Sequence, residues 1–333
     1  MTFSRSRTQR EIAKLAGVSD MTVSRVLRGT GVVSARTRER ILNIVNETGY
    51  VQNRLAGSLA AARANQVAVI IPSLVNNIFS QVTAGIAEEL ERAGYNPVIG
   101  VSNYDVEREE RLVLSMMSWR PAGFIVTDFV HTDRTRNILA NAGIPVVEMM
   151  EISGEPIDMC VGFNHQTSAL VMAEHLLRKG YRRFGYLGWN NTDFAAATRY
   201  HVIRKRLEAE GIALVAPDVF DRSPDFDGGK RALGALLETH PDLQVVVFSN
   251  DMSACGGMVH CLERGITVPE RLAIAGFSGL RLGQAMPREL TTIHAKRHEI
   301  GRRSAKAVLN ALAGQTMPQV IDVGFDLMPG TSS

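Results

Sequence analysis

From residue 66 onward, short runs of β-branched and aliphatic residues alternate with longer segments whose apolar residues recur every third or fourth position. Val67-Ala68-Val69-Ile70-Ile71 leads into a helical stripe of Val82, Ile86 and Leu90, and Pro97-Val98-Ile99-Gly100 leads into one through Leu112, Leu114 and Met117. Gly123-Phe124-Ile125-Val126 and Pro145-Val146-Val147 continue the series. A second set runs through Arg183-Phe184-Gly185-Tyr186-Leu187-Gly188, Val245-Val246-Val247-Phe248 and Leu272-Ala273-Ile274-Ala275-Gly276-Phe277. Strands that are apolar on both faces need cover on both, and a helix between successive strands makes them parallel. The pattern predicts two α/β lobes of similar build.

The first 65 residues read differently. Thr8 and Glu11 form a capping box ahead of a helix with Ile12, Leu15 and Ala16 on one face. Gly17 breaks it, and Ser19 caps a second helix, Asp20 to Arg28, that buries Val23, Val26 and Leu27. Two short helices joined by a three-residue turn containing Gly are a helix-turn-helix. A third helix, capped by Ser34, carries Ile41, Leu42, Ile44 and Val45 and stops at Gly49-Tyr50. Three such helices close a small core and leave the second with a free face.

Charge separates the same two regions. Residues 1–65 hold 11 Arg or Lys against 4 Asp or Glu, a net of +7, while the other 268 hold 26 against 30, a net of −4. A basic head on a mildly acidic body suits a polyanionic partner at one end. The free face fits a major groove: Asp20, Met21 and Arg25 point outward as base readers, and Thr8, Ser19, Thr22 and Ser24 are placed for backbone contacts. Arg25 suits guanine, whose two acceptors match its fork.

The string from Glu11 to Leu27, with Gly49-Tyr50 and Asn53-Arg54-Leu55-Ala56, resembles the DNA-binding head of the lactose/galactose repressor (LacI/GalR) family, and the resemblance extends over the whole chain. Glu11-Ile12 stands where that family usually has Asp-Val. The resemblance implies a small all-α helix-turn-helix head over residues 1–52, a hinge over 53–65 and an effector-binding, dimer-forming body over 66–333. The hinge would order on DNA, with Asn53, Arg54 and Ser58 at the duplex and Leu59 wedged into the central minor groove, kinking it. The body would be two doubly wound α/β lobes, like periplasmic binding proteins. Lobe one would take about 66–162 and 291–324, and lobe two about 163–290 and 325–333, with crossings near 163, 290 and 325.

Ligands of such folds sit beyond the carboxyl ends of strands. By the same resemblance Ser73, Asn77, Phe79, Arg199 and Asn250 line the pocket. Val202 replaces the glycine that usually follows that arginine by three residues. Thr127, His131 and Glu148 follow strands and join the candidates. Ser278 replaces an aspartate usual in the family, and Arg297 replaces an apolar residue. One negative charge lost and one positive charge gained favour an anion, because two guanidiniums clamp a carboxylate or phosphate. Plainer readings stand beside these: Arg297 as a surface or cap residue, Glu148 paired with an arginine, and His131 as a solvent-facing loop residue.

Pro72-Ser73-Leu74, Ser115-Met116-Met117-Ser118-Trp119, Gly143 to Glu148, and Gly324-Phe325 with Pro329-Gly330 are similar to the gluconate-operon repressor branch. That resemblance implies a small sugar-acid effector such as gluconate or a phosphorylated or keto relative. It also implies a homodimer on near-palindromic double-stranded operator DNA. The expected sign is release of DNA by effector, with a ligand-dependent activator or corepressor-type regulator as the alternative.

An enzyme or solute-binding protein fused to a DNA-binding head is the reading from another class, and catalytic motifs fail to support it. There is no GxGxxG or GxxxxGK[ST], and His298-Glu299 lacks the second histidine of a zincin. No cofactor or metal is expected. Cys160, Cys255 and Cys261 form no CxxC pair and read as reduced, buried thiols. The polar N-terminus lacks a signal peptide's apolar stretch, and no apolar run reaches membrane-spanning length, so a cytoplasmic protein without a membrane partner is expected.

Overall fold

The computed structural model describes residues 7–50, 65–74, 78–188, 193–216 and 225–333. The chain divides into two compact units, Met1–Ala64 and Asn65–Ser333.

In the first unit, α1 (Gln9–Ala16), α2 (Asp20–Arg28) and α3 (Ala35–Thr48) each begin at a hydroxyl cap and end at a glycine with positive φ. Ile12, Ala13, Ala16, Val23, Val26 and Ile41 form the buried core, with Val18, Leu27, Ile44 and Val45 packed on it. Leu15 and Leu42, expected on the inner stripes, are 53% and 41% exposed. At about 3.6 residues per turn, Leu15 falls beyond the edge of the arc that Ile12, Ala13 and Ala16 share.

The second unit holds two six-stranded sheets. The first contains β1 (Gln66–Ile71), β2 (Asn96–Val101), β3 (Gly123–Thr127), β4 (Val146–Met150), β5 (Met159–Gly162) and β11 (Val320–Asp322). Their order is β11-β5-β4-β3-β1-β2, all parallel. The second contains β6 (Phe184–Leu187), β7 (Leu214–Val215), β8 (Val245–Phe248), β9 (Ala273–Ser278), β10 (Thr291–His294) and β12 (Asp326–Met328). Its order is β12-β10-β9-β8-β6-β7, and β12 runs antiparallel to β10, an edge that strand–helix alternation does not announce.

Helices cover both faces of each sheet, and the alternation of side chains along the strands decides which residue meets which. Val67, Val69 and Ile71 face α4 (Ile78–Arg92) and α12 (Arg297–Leu312). Ala68 and Ile70 face α5 (Val106–Met117) and α6 (Asp133–Ala140). Val113 and Met116 are the buried apolar residues of α5, whereas Leu114, expected on its inner stripe, is 38% exposed. The second sheet lies between α7 (His165–Arg178) with α8 (Phe194–Glu208) and α9 (Phe226–Thr239) with α10 (Asp251–Glu263).

Each sheet has one helix pair packed backbone to backbone through reciprocal glycines. A Cβ on Gly85 or Gly301 would strike the His298 or Val82 carbonyl oxygen at 2.2 and 2.0 Å. Gly229 and Gly256 meet the Ser253 and Phe226 carbonyls in the same way at 2.1 and 1.9 Å.

The expected lobe boundary at residue 290 is corrected. Thr291–His294 is β10, paired in register with Ala275–Ser278 in the second sheet, so the chain crosses at Ala295-Lys296. Lys296 takes a left-handed conformation (φ 40°) there, immediately before α12. The β-branched Thr291-Thr292-Ile293 run belongs to the sheet it hydrogen-bonds, and a sequence motif does not say which sheet that is. The three cysteines are free and buried. No helix among the described residues is long and apolar enough to cross a membrane.

Candidate functional site

The head presents its chemistry on a surface. Thr8 Oγ1 accepts from the Glu11 amide at 3.3 Å while Glu11 Oε2 accepts from the Thr8 amide at 2.7 Å, completing the capping box. Ser19 Oγ accepts from the Thr22 amide at 3.3 Å and pairs with the Thr22 hydroxyl at 2.9 Å. These caps fix the start of α2, whose Asp20, Met21 and Arg25 are exposed, Met21 by 64%. Thr22 and Ser24 are half-buried beside them. Gln9 Nε2 donates to the Asp20 carbonyl at 2.8 Å, tying α1 to the N-terminus of α2. Asn53, Arg54, Ser58 and Leu59 lie outside the described residues.

The body hides its chemistry in a cleft between the two sheets. Its walls include Thr127 and Asp128 after β3, Met150 at the end of β4, and Phe163 and His165 after β5. From the second sheet come Ser249 and Asn250 after β8, Phe277 and Ser278 at the end of β9, and Asp193 and Arg199 of the segment after β6. All are at strand carboxyl ends or on helices that start there, where an open α/β sheet binds ligands. Phe79 and Arg297 complete the set from α4 and α12.

Two guanidiniums converge on this cleft. Arg199, 8% exposed, donates through Nη2 to the Ser249 carbonyl at 3.1 Å and lies 5.1 Å from the Phe277 ring centre. Its Nη1 meets His165 Nδ1 at 3.1 Å. Because a guanidinium only donates, His165 Nδ1 accepts and the ring is neutral with its proton on Nε2. Burial, then the charges of Arg199 and Arg297, hold the His165 pKa well below its ordinary value. Arg297, 6% exposed, donates to the Ser278 carbonyl. Its pKa falls to about 10, chiefly through burial, with Arg199 adding to the fall and Asp251 opposing it. The Nε atoms of Arg199 and Arg297 are buried without hydrogen-bond partners among the described residues. A buried, unsatisfied donor on a cation costs free energy that an anionic ligand recovers.

Below the cleft, Asp251 Oδ1 accepts from Thr292 Oγ1 at 2.6 Å and Oδ2 from the Leu280 amide at 2.7 Å. Burial lifts its pKa to about 6 against those hydrogen bonds. Asn250 Oδ1 accepts from the Ser253 amide at 2.9 Å, capping α10, and Asp193 Oδ1 caps α8 through the Ala196 amide at 3.0 Å.

Six of the expected pocket residues are therefore brought together: Phe79, Thr127, Arg199, Asn250, Ser278 and Arg297. Asn77 lies outside the described residues, and Ser73 is half-buried at the end of β1, off the described walls. His131 and Glu148 are corrections. The His131 side chain is fully buried, its Nδ1 on Glu109 Oε1 at 2.5 Å and its Nε2 3.4 Å from Glu148 Oε1. Glu148 also lies 3.6 Å from Arg136 Nη1 and accepts from the Ile157 amide at 2.5 Å. Burial alone would lower the His131 pKa, but hydrogen bonds and charge from both glutamates lift it to about 9. Glu148 stands in the middle of β4, two residues short of the carboxyl end that meets the cleft, and its side chain lies in the layer of α5 and α6, where His131 and Arg136 supply the cations a buried carboxylate needs.

Sequence reasoning passed over Asp128, His165 and Asp193. Asp128, with φ 61°, directly follows a strand end, a signal that could have selected it. His165 and Asp193 sit at helix starts where they read as ordinary first-turn and cap residues.

An exposed recognition helix and a buried two-lobed cleft define a DNA-binding regulator with a small-molecule site. Residues 8–53 match the bacterial regulatory proteins of the lacI family, and residues 64–329 match the periplasmic binding proteins and sugar binding domain of the LacI family. The chain belongs to the LacI family and is a transcriptional regulator rather than an enzyme. It is similar to the HTH-type transcriptional regulator GntR of Pseudomonas aeruginosa, 34% identical over 329 residues that cover 98% of this chain and 95% of that one. It is equally similar to the regulator IdnR of Escherichia coli, 34% identical with 97% of both chains covered. Among solved structures, a LacI-family transcriptional regulator from Silicibacter pomeroyi superposes with a TM-score of 0.93 at 40% identity, over 98% of this chain and 99% of that one.

Proposed function

We propose that this regulator is a homodimeric repressor released from a near-palindromic operator by a small sugar acid, gluconate or a close derivative. The observation that carries the effector class is the convergence of Arg199 and Arg297, both buried in one cleft and each with an unpartnered Nε among the described residues. A carboxylate there meets two charge-assisted donors, while Thr127, Asn250 and Ser278 offer partners for hydroxyls. Resemblance to the gluconate-operon repressor branch points the same way. In the head, Asp20, Met21 and Arg25 read base edges, and Thr8, Ser19, Thr22 and Ser24 meet the phosphates beside them. Asn53, Arg54, Ser58 and Leu59 act in the hinge, with Leu59 as the minor-groove wedge. An inducer releases DNA only by binding the DNA-free conformation more tightly, and a coupling of about 1–3 kcal/mol weakens operator binding roughly 5- to 150-fold.

Calorimetric titration of the full chain with gluconate, glucose and a purine base tests this. Micromolar binding of gluconate, lost by about 100-fold or more in Arg297→Ala, is the expected result, and a gel shift should show gluconate releasing operator DNA. Binding of glucose alone would overturn the anion site, and tighter DNA binding with gluconate would make the ligand a corepressor.

A further inference from the structure

The cleft is not uniformly cationic. Arg297 and His165 stand at the crossovers between lobes, beside β10 and β5 at the crossover edge of each sheet. Asp128 follows β3, two strands in from β5, and Asp193 follows β6, three strands in from β10. With strands about 4.8 Å apart, the carboxyl ends of β3 and β6 lie roughly 10 and 14 Å from those of β5 and β10. Along α8, Asp193 precedes Arg199 by six residues, roughly 9 Å of helix at 1.5 Å per residue.

We infer that the cleft is polarised, with cations at its crossover end and Asp128 and Asp193 at the other, so that it takes a singly charged polyhydroxy monocarboxylate and rejects one bearing a terminal phosphate. This rests on the sugar-acid reading and narrows it to one charge state. The carboxylate sits on Arg199 and Arg297, and a hydroxylated chain spans the cleft to the acid end. Asp128 Oδ1 is buried and unpartnered among the described residues, an acceptor or, when protonated, a donor for a terminal hydroxyl.

Among the described residues, a phosphate at that end would meet no cation but Arg199, whose charge reaches Asp128 and which the carboxylate already engages. Arg199 and Arg297 are the only basic side chains besides neutral His165 in the described walls. Segments 75–77 and 189–192, next to those walls in sequence, contain no Lys, Arg or His. His131, whose charge also acts on Asp128, is spent between Glu109 and Glu148. Asp193 and Glu151 are offset there by His131 and Arg199, so burial is the main obstacle to charge at Asp128. Burial, then Asp193 and Glu151, raise its pKa to about 8 against the opposing charges of His131 and Arg199. Glu151 itself is fully buried, with Oε1 on the Ile152 and Ser153 amides at 2.7 and 2.9 Å. A site that makes a carboxyl retain its proton near neutrality disfavours an incoming dianion still more.

The test titrates full-length protein with gluconate and 6-phosphogluconate at one ionic strength and at pH 9, where Asp128 is ionised above its pKa of about 8, as wild type and as Asp128→Asn. Asparagine keeps the shape and tolerates the left-handed backbone there. The wild type should bind gluconate at least tenfold more tightly than 6-phosphogluconate, and Asp128→Asn should shrink that ratio by tenfold or more. Equal or tighter binding of the phosphorylated acid by wild type overturns the inference while leaving the sugar-acid reading intact. An unchanged ratio in a folded variant removes Asp128 from the account. If neither acid binds the wild type, the sugar-acid reading fails and the inference falls with it. The wild-type ratio decides the matter even where the variant does not fold.

Discussion

The head and the body solve opposite problems. The head buries six apolar residues among those described and leaves Asp20, Met21 and Arg25, its proposed base readers, exposed on one nine-residue helix. The body places its working side chains in a cleft where Arg199, Arg297 and His165 are all less than a tenth exposed. On an exposed helix face, a residue's role follows from its position in a 3.6-residue repeat and from its caps, and both are local. In a cleft, a role depends on what other segments bring within hydrogen-bonding distance. Arg199 and His165 are 34 positions apart in the chain and still share a hydrogen bond.

Four experiments sharpen or break this contrast. The largest effect is expected from the head's thin core: Ile41→Ala should cost about 2–5 kcal/mol, enough to unfold so small a unit. Circular dichroism should show loss of the head's helix, with sugar-acid binding by the body kept; loss of both would mean that the two regions are not separable.

In the body, His131 has a folded pKa of about 9, above its ordinary value near 6.5. Its stabilisation is therefore fully present below about pH 6.5 and is lost as pH rises through 9, on the order of 3 kcal/mol in all. Thermal melts should show the wild type ahead of His131→Gln at pH 6 and level with it near pH 10. A gap independent of pH would mean that His131 is packed there as a neutral ring.

Arg25→Ala should weaken specific operator binding by about 1–3 kcal/mol and leave sugar-acid affinity unchanged. Equal losses on operator and random DNA, measured at one salt concentration, would reassign Arg25 to phosphate contact. Smallest, Thr8→Ala should cost about 1 kcal/mol of head stability through loss of the capping box. A larger drop in DNA affinity than in stability would give the Thr8 hydroxyl a second role at the phosphates.

What the chain declares in its sequence follows this division. The three caps of the head, its inward stripe, and the alternation that makes two doubly wound sheets are properties of neighbouring residues, so periodicity and capping chemistry determine them. Membership of the LacI family was likewise legible in the string from Glu11 to Leu27. Tertiary structure alone decided which sheet took Thr291–His294, because either sheet could satisfy the same backbone groups. It also decided the roles of His131 and Glu148. Both follow strand-like runs and look like pocket residues, but Glu148 stands mid-strand in β4 rather than at its carboxyl end, and it shares the α5 and α6 layer with His131, Glu109 and Arg136. Asp128, His165 and Asp193 entered the cleft because each follows a strand or opens a helix at the carboxyl ends of the sheets. A single carboxylate or imidazole carries no signature of its own, and its function is set by burial and by charges that folding brings from distant segments.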